Sequence, residues 1–195
     1  VNDINDEILA KAKQDINQLL DESLAKGFIN QEVYEQSHAQ LNYDVNLEQA
    51  AKDADLVIEA VLEKMDLKVE VFKQLDQICR PDTILATNTS TMSPTEIGAQ
   101  TSRPDKVAAM HFFNPVHKMK LIELIRGLDT SDETISKIKE VAKRLKKEVV
   151  EVNEFPGFVT SRMNCLIGNE AMYLLMEGVA SAEDIDKAMK LGLNH

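Results

Sequence analysis

No stretch of this 195-residue chain approaches the ~20 consecutive apolar residues of a membrane-spanning helix. Cysteine is scarce. Cys79 and Cys165 lie far apart, form no metal-ligand spacing, and read as reduced thiols of an intracellular protein. Basic residues are outnumbered, 22 Lys and Arg against 33 Asp and Glu, for a net charge of −11. Phosphate binding along a nucleic acid needs a basic face, so nucleic acid is excluded as the main partner. Glycine is sparse and the earliest is Gly27, so no glycine-rich phosphate loop opens the chain. There is no signal peptide, low-complexity tract or internal repeat. The chain starts at Val1 rather than Met, which points to a natural N-terminus lying upstream. What remains is ordinary for a soluble globular protein: 44% hydrophobic and 28% charged residues, which excludes intrinsic disorder.

Segments of helical period alternate with short strand-like runs. That alternation is the α/β pattern, a mostly parallel sheet covered by helices. Asn5 can cap a helix with Asp6 and Glu7 in its first turn, Ile8, Leu9, Ala12, Ile16, Leu19, Leu20 and Leu24 at helical spacing, and Gly27 to end it. A shorter helix is expected over residues 31–40. Residues 54–61 read as a buried strand. Asp66 can cap the next helix, which buries Leu67, Val71, Phe72, Leu75 and Ile78 and stops before Pro81. Residues 83–87, 106–111, 120–126 and 148–152 read as further strands, the second and third of these paired across the turn at Asn114-Pro115. Thr130 with Glu133 has the form of a capping box, opening a helix that buries Ile135, Ile138, Val141, Ala142 and Leu145.

The texture changes at Pro156-Gly157. Residues 158–177 read as one apolar helix ended by Gly178, and Ser181 with Asp184 starts another. A boundary is therefore expected near Glu154: an α/β domain over 1–154, then the opening of a helical domain over 155–195.

Of the four histidines, His38 in a polar helix, His117 beside Lys118 and His195 at the terminus read as surface residues. His111 ends an apolar strand, where an α/β sheet presents its crevice to ligands. A core histidine held by a backbone carbonyl fits the pattern equally well. Glu123 tips the balance. It is the only charge inside Leu121-Ile-Glu-Leu-Ile125, and a carboxylate in a buried strand is costly unless paired. If the two strands are neighbours, Glu123 lies beside His111, fixes its tautomer and makes it a stronger base. The competing reading is an edge-strand Glu facing water. The hydroxyl run Asn88-Thr-Ser-Thr91 follows a buried strand and falls at the same sheet edge, although such runs also form turns. Asp3 alone reads as a charge at a helix N-terminus.

Taken together, Asn88-Thr-Ser-Thr91, His111-Phe-Phe-Asn-Pro115, Met119-Lys-Leu-Ile-Glu123, Pro156-Gly-Phe-Val159 and Gly178-Val-Ala-Ser-Ala-Glu-Asp-Ile-Asp-Lys-Ala-Met-Lys-Leu-Gly192 resemble the L-3-hydroxyacyl-CoA dehydrogenase family. The 3-hydroxybutyryl-CoA dehydrogenases of bacteria are its nearest sub-group. The resemblance covers the whole chain and implies a Rossmann-type sheet followed by the start of an all-α dimerisation domain. It implies NAD as cofactor and reversible oxidation of an L-3-hydroxyacyl-CoA to the 3-ketoacyl-CoA, in fatty acid β-oxidation or butanoate metabolism. It also implies a cytoplasmic homodimer with no metal, nucleic acid or membrane partner. By position, His111 resembles the catalytic base and Glu123 its partner. Ser90 matches the serine that holds the substrate, and Ser161 the neighbouring polar group. Asp3, Ala60, Glu63, Lys68, Ser90 and Asn114 match cofactor contacts, and Lys26 falls where a lysine approaches the CoA phosphates.

Two departures are visible. Ser161 stands where the family usually has Asn, and Asn164 lies nearly one helical turn further on. The family's first strand, glycine-rich turn and first helix have no counterpart here, nor has most of its helical domain. Two alternatives remain at this point: a non-catalytic structural or binding relative of the same fold, and an NAD(P) dehydrogenase of a small hydroxy acid.

Overall fold

The computed structural model describes residues 1–194; His195, read as a surface residue, lies outside the described residues. Helices α1 (Asp6–Ala25) and α2 (Gln31–Gln40) pack against each other. Asn5 caps α1 through a hydrogen bond from the Ile8 N–H at 2.9 Å, and Gly27 leaves the helix at φ 70°. The Tyr34 hydroxyl donates to Asp21 at 2.7 Å and ties the two helices together. Only Leu9 of the expected apolar stripe is fully buried; Ile8 and Leu19 are exposed.

A short helix, α3 (Leu47–Ala51), leads into the sheet. The order is then β1 (Leu56–Glu59), α4 (Met65–Ile78), β2 (Ile84–Thr87), α5 (Pro94–Gly98), β3 (Val107–Phe112), β4 (Leu121–Arg126), α6 (Asp132–Arg144) and β5 (Glu148–Asn153). Strands lie in chain order, β1-β2-β3-β4-β5. All neighbours are parallel except β3 and β4, which are antiparallel. Helix α6 covers one face, packing Ile135, Ile138 and Ala142 on Ala86, Ala108, Met110, Ile122 and Leu124. Helices α3, α4 and α5 cover the other through Ala51, Phe72, Leu75 and Ile97 against Leu85 and Val107. Two further helices follow, α7 (Thr160–Met176) and α8 (Ala182–Ala188), the latter capped by Ser181. No helix of the described residues is long and apolar enough to cross a membrane.

Two expected caps are displaced. Asp66 lies inside the first turn of α4, which starts one residue after Lys64 and has no side-chain cap. Ser131, not Thr130, caps α6 by accepting from the Thr134 N–H at 3.2 Å. The Thr130 hydroxyl is already engaged, donating to the Val107 carbonyl at 2.6 Å and accepting from the Gly127 N–H at 2.9 Å. His38 also differs from expectation. Its ring packs edge-on against Tyr34 with centroids 4.5 Å apart, and its Nε2 is buried.

Candidate active site

Side chains alternate across a strand, so Ala109 and His111 of β3 share a face with Glu123 and Ile125 of β4. The antiparallel register sets His111 directly opposite Glu123. Beneath the pair, Ala109, Ile125, Val152 and Phe158 form a small apolar cluster. Both polar residues are buried, Glu123 to 1% exposure. Edge-strand exposure of Glu123 and a lone core histidine are thereby both excluded. His111 Nδ1 lies 2.8 Å from Glu123 Oε2. An ionised carboxylate only accepts, so Nδ1 carries the hydrogen and neutral His111 keeps a lone pair on Nε2. Nε2 lies 3.1 Å from the Ser90 hydroxyl, which donates to it.

The carboxylate of Glu123 is saturated. Its Oε1 accepts from the backbone N–H groups of Val159 and Thr160 at 3.2 and 3.0 Å. Its Oε2 accepts from the Thr160 hydroxyl at 3.0 Å as well as from His111. Helix α7 has no side-chain cap of its own. Glu123 caps it from another element, and the helix end in turn favours the negative charge. The turn before α7 makes this approach possible. Gly157 has φ 76°, and a Cβ there would meet the Arg162 backbone N at 3.2 Å. Phe158, also at positive φ, turns its ring inward, 5.8 Å from the imidazole, while Phe113 flanks it at 4.6 Å.

A second buried charge network lies at the C-terminal ends of β1 and β2. Lys68 is fully buried, with its ammonium 2.9 and 3.2 Å from the two oxygens of Glu59 and 3.3 Å from Glu63. Glu59 also accepts from the Thr87 hydroxyl at 2.7 Å and the Val61 N–H at 2.6 Å. Glu63 accepts from the Ser90 N–H at 2.9 Å and from the Thr89 hydroxyl. Burial pushes the Glu63 carboxyl up, but the Thr89 hydroxyl, the Ser90 N–H and Lys68 outweigh it and hold it below the usual range. The Asn88 side chain accepts from the Phe112 N–H at 3.0 Å, pinning this loop to the end of β3. The hydroxyl run is thus a fixed shelf beside Nε2.

The site residues read from the sequence separate into groups. His111, Glu123 and Ser90 form one hydrogen-bonded chain, and Glu63 supports it from behind. Lys68 has no exposed surface to offer a ligand; its contacts are with Glu59 and Glu63. Ala60 and Asn114 are exposed, following β1 and β3 at the same sheet edge. Ser161 is part-buried in the first turn of α7, and the hydroxyl that reaches the dyad is that of Thr160. Asp3 accepts from the Ile4 N–H at 2.7 Å beside an isolated bridge between Asn2 and Asp44, outside the five-stranded ladder. Lys26 is exposed at the end of α1, 3.1 Å from Glu22. Sequence reasoning passed over Glu59 and Thr160. Glu59 carried the same signal as Glu123, a single carboxylate inside an apolar run; Thr160 carried none.

A groove of about 690 Å³ runs between α5 and the segment leading to α7, lined by Met92, Arg126, Glu154, Phe155 and Phe158. The dyad does not line it; Phe158 stands between them.

Residues 1–155 match the family model of the 3-hydroxyacyl-CoA dehydrogenase NAD binding domain, and residues 157–195 that of the C-terminal domain. A probable 3-hydroxybutyryl-CoA dehydrogenase of Bacillus subtilis is 55% identical over 145 residues, 74% of this chain and 50% of that protein. A probable 3-hydroxybutyryl-CoA dehydrogenase of Deinococcus radiodurans is 42% identical over the whole chain and 69% of its own length. The crystal structure of (S)-3-hydroxybutyryl-CoA dehydrogenase from Ralstonia eutropha superposes with a TM-score of 0.92 at 42% identity, covering 99% of this chain and 68% of that one. The chain spans about half the length of the Bacillus protein and of a similar Clostridioides difficile 3-hydroxybutyryl-CoA dehydrogenase. With both segments matched in order and the fold shared with its solved relatives, the chain belongs to the 3-hydroxyacyl-CoA dehydrogenase family.

Proposed function

We propose that the full-length protein is an NAD-dependent oxidoreductase interconverting L-3-hydroxyacyl-CoA and 3-ketoacyl-CoA, with His111 as base and Glu123 as its partner. The observation that carries this reading is the buried chain Glu123–His111–Ser90, with bonds of 2.8 and 3.1 Å. It leaves Nε2 without a hydrogen, its lone pair held by a Ser90 hydroxyl that can rotate to the substrate oxygen, the arrangement a secondary alcohol needs when it loses a proton. The names of the relatives make 3-hydroxybutyryl-CoA the first substrate to test.

The residues present fit NAD. Exposed Ala60, half-exposed Glu63, Ser90 and exposed Asn114 follow β1, β2 and β3 at one sheet edge, the position where α/β sheets bind such ligands. Asp3 is taken to hold the adenosine ribose, and Lys68 to serve through Glu63. When bound, NAD supplies the acceptor for the hydride leaving C3. The protein's own part is the proton. His111 takes it from the 3-hydroxyl at Nε2, and Glu123 stabilises the imidazolium across the Nδ1 hydrogen bond. Ser90, with Ser161 from α7, holds the oxygen on C3. Phe113 and Phe158 keep water from the imidazole faces. Lys26 is assigned to the CoA phosphates, since its ammonium is exposed and its carboxylate partner, Glu22, is on the surface too.

The division into 1–154 and 155–195 belongs to the same reading. So does a cytoplasmic homodimer formed through the helical segment. The test is NADH consumption by the full-length protein with acetoacetyl-CoA and, separately, with small keto acids. Turnover confined to the CoA ester supports the reading. Faster turnover of a small keto acid, or NADH binding without turnover of either, overturns it.

A further inference from the structure

Glu123 Oε2 serves two donors at once, His111 Nδ1 at 2.8 Å and the Thr160 hydroxyl at 3.0 Å. The second donor lies on a different element, the first residue of α7, and its own backbone N–H binds the other oxygen of the same carboxylate. Nothing in the catalytic reading above uses that hydroxyl. The backbone bonds alone already seat the helix end, so the hydroxyl is an addition to the site rather than its support.

We infer that Thr160 is a positioning residue that sets the basicity of His111 by competing for Glu123 Oε2, so that the seat of α7 is transmitted to the base. The inference rests on the assignment of His111 and Glu123 as the catalytic pair. Its physical basis is the sharing of one oxygen. A hydrogen bond to a carboxylate is strong because the acceptor carries charge. Each added donor draws on that charge and weakens the attraction left for the others. With Thr160 bonded, Glu123 attracts the imidazolium less than a carboxylate serving His111 alone at that oxygen. Removing the hydroxyl without changing side-chain shape therefore strengthens the His111–Glu123 bond and makes the imidazole harder to deprotonate.

The surroundings make the effect readable. Among the described residues, Glu123 on β4 is the one carboxylate bonded to the imidazole. From the loop after β2 only the neutral Ser90 hydroxyl reaches it, with Glu63 and its partner Lys68 one bond further back. Phe113 and Phe158 supply the remaining walls. The segment entering α7 presents the Val159 and Thr160 N–H groups and the Thr160 hydroxyl to the carboxylate, all of them uncharged.

The experiment is the pH dependence of kcat/KM for 3-hydroxybutyryl-CoA oxidation in the full-length protein, for the parent, Thr160→Val, Thr160→Ser and Glu123→Gln. Oxidation needs neutral His111, so the acid limb reports the base. Thr160→Val is expected to move that limb up by about 0.5–1 pH unit, roughly three- to tenfold slower at pH values below it. Thr160→Ser keeps the hydroxyl and returns the limb to the parent position. If Thr160→Val fails to fold by circular dichroism, Thr160→Ala replaces it with the same expected shift. An unmoved limb, a downward shift, a loss equal at every pH, or a serine variant as displaced as the valine one overturns the inference. When Glu123→Gln is at the same time nearly inactive, the catalytic assignment survives that result. Parental turnover in Glu123→Gln removes both.

Discussion

Replacing Glu123 by Gln changes one oxygen to an NH2 group, and the structure dictates which one. Oε1 faces two backbone N–H donors, from Val159 and Thr160, that cannot turn away. An amide NH2 placed there would set donor against donor, so the amide oxygen must take that side. The NH2 then faces His111 Nδ1 and the Thr160 hydroxyl. The hydroxyl can rotate and accept. The imidazole can satisfy the NH2 only by accepting at Nδ1, which moves its hydrogen to Nε2. His111 is then in the tautomer that cannot take a proton from the substrate. The analogous carboxylate-to-amide change in serine protease triads lowers kcat by about 10⁴ through the same tautomer reversal. General base catalysis is itself worth about 10²–10⁴-fold. We therefore expect Glu123→Gln to lower kcat for acetoacetyl-CoA reduction by about 10²–10⁴, because an imidazole that gives up its Nε2 hydrogen with none on Nδ1 would be left an anion, where the parent imidazolium is left neutral. The assay is loss of NADH absorbance, with NADH affinity measured in parallel by fluorescence and expected to stay within about twofold. A kcat within threefold of the parent would refute the tautomer argument.

The remaining predictions concern stability and pH. Lys68→Met leaves Glu59 buried without its cation, and breaking a buried pair from one side costs about 3–5 kcal/mol, to be read from urea unfolding; a loss under 1 kcal/mol would contradict the burial argument. Burial pushes the Asp76 carboxyl up, but the Ser102 N–H and hydroxyl and the Arg103 guanidinium outweigh it and hold it below the usual range. A depressed folded pKa means that this stabilisation is complete above the unfolded value near 3.9 and is lost as pH falls through the folded one. The stability gap between parent and Asp76→Asn should be constant from about pH 5 to 7 and narrow below about pH 3.9; a gap that widens on acidification would contradict the sign.

What was legible in the sequence was local or periodic. Asn5 and Ser181 cap their helices as read, because an N-cap is decided by one side chain and the next three residues. The pairing of His111 with Glu123 followed from two apolar strands joined by a turn and from one carboxylate that burial forbids to stand alone. The misreadings arose where tertiary contacts claimed the residue. Thr130 has the chemistry of a cap, but the Val107 carbonyl of β3 and the N–H of nearby Gly127 engage its hydroxyl, so the cap falls on Ser131. Lys68 was matched by the family resemblance to a cofactor contact. Its burial depends on Glu59, nine residues earlier and on another element. Thr160 was not readable at all, because its role exists only once Gly157 turns the chain and brings α7 against β4.

The central claim is that His111 carries the proton in a hydroxyacyl-CoA dehydrogenase. Its most direct test is NADH formation from 3-hydroxybutyryl-CoA and NAD by the full-length protein and its His111→Ala variant. The account predicts NADH formation by the parent and a rate at least about 10²-fold lower in the variant, with NADH binding retained. A variant that turns over at the parental rate, or a parent that binds NADH and leaves 3-hydroxybutyryl-CoA untouched, would contradict it.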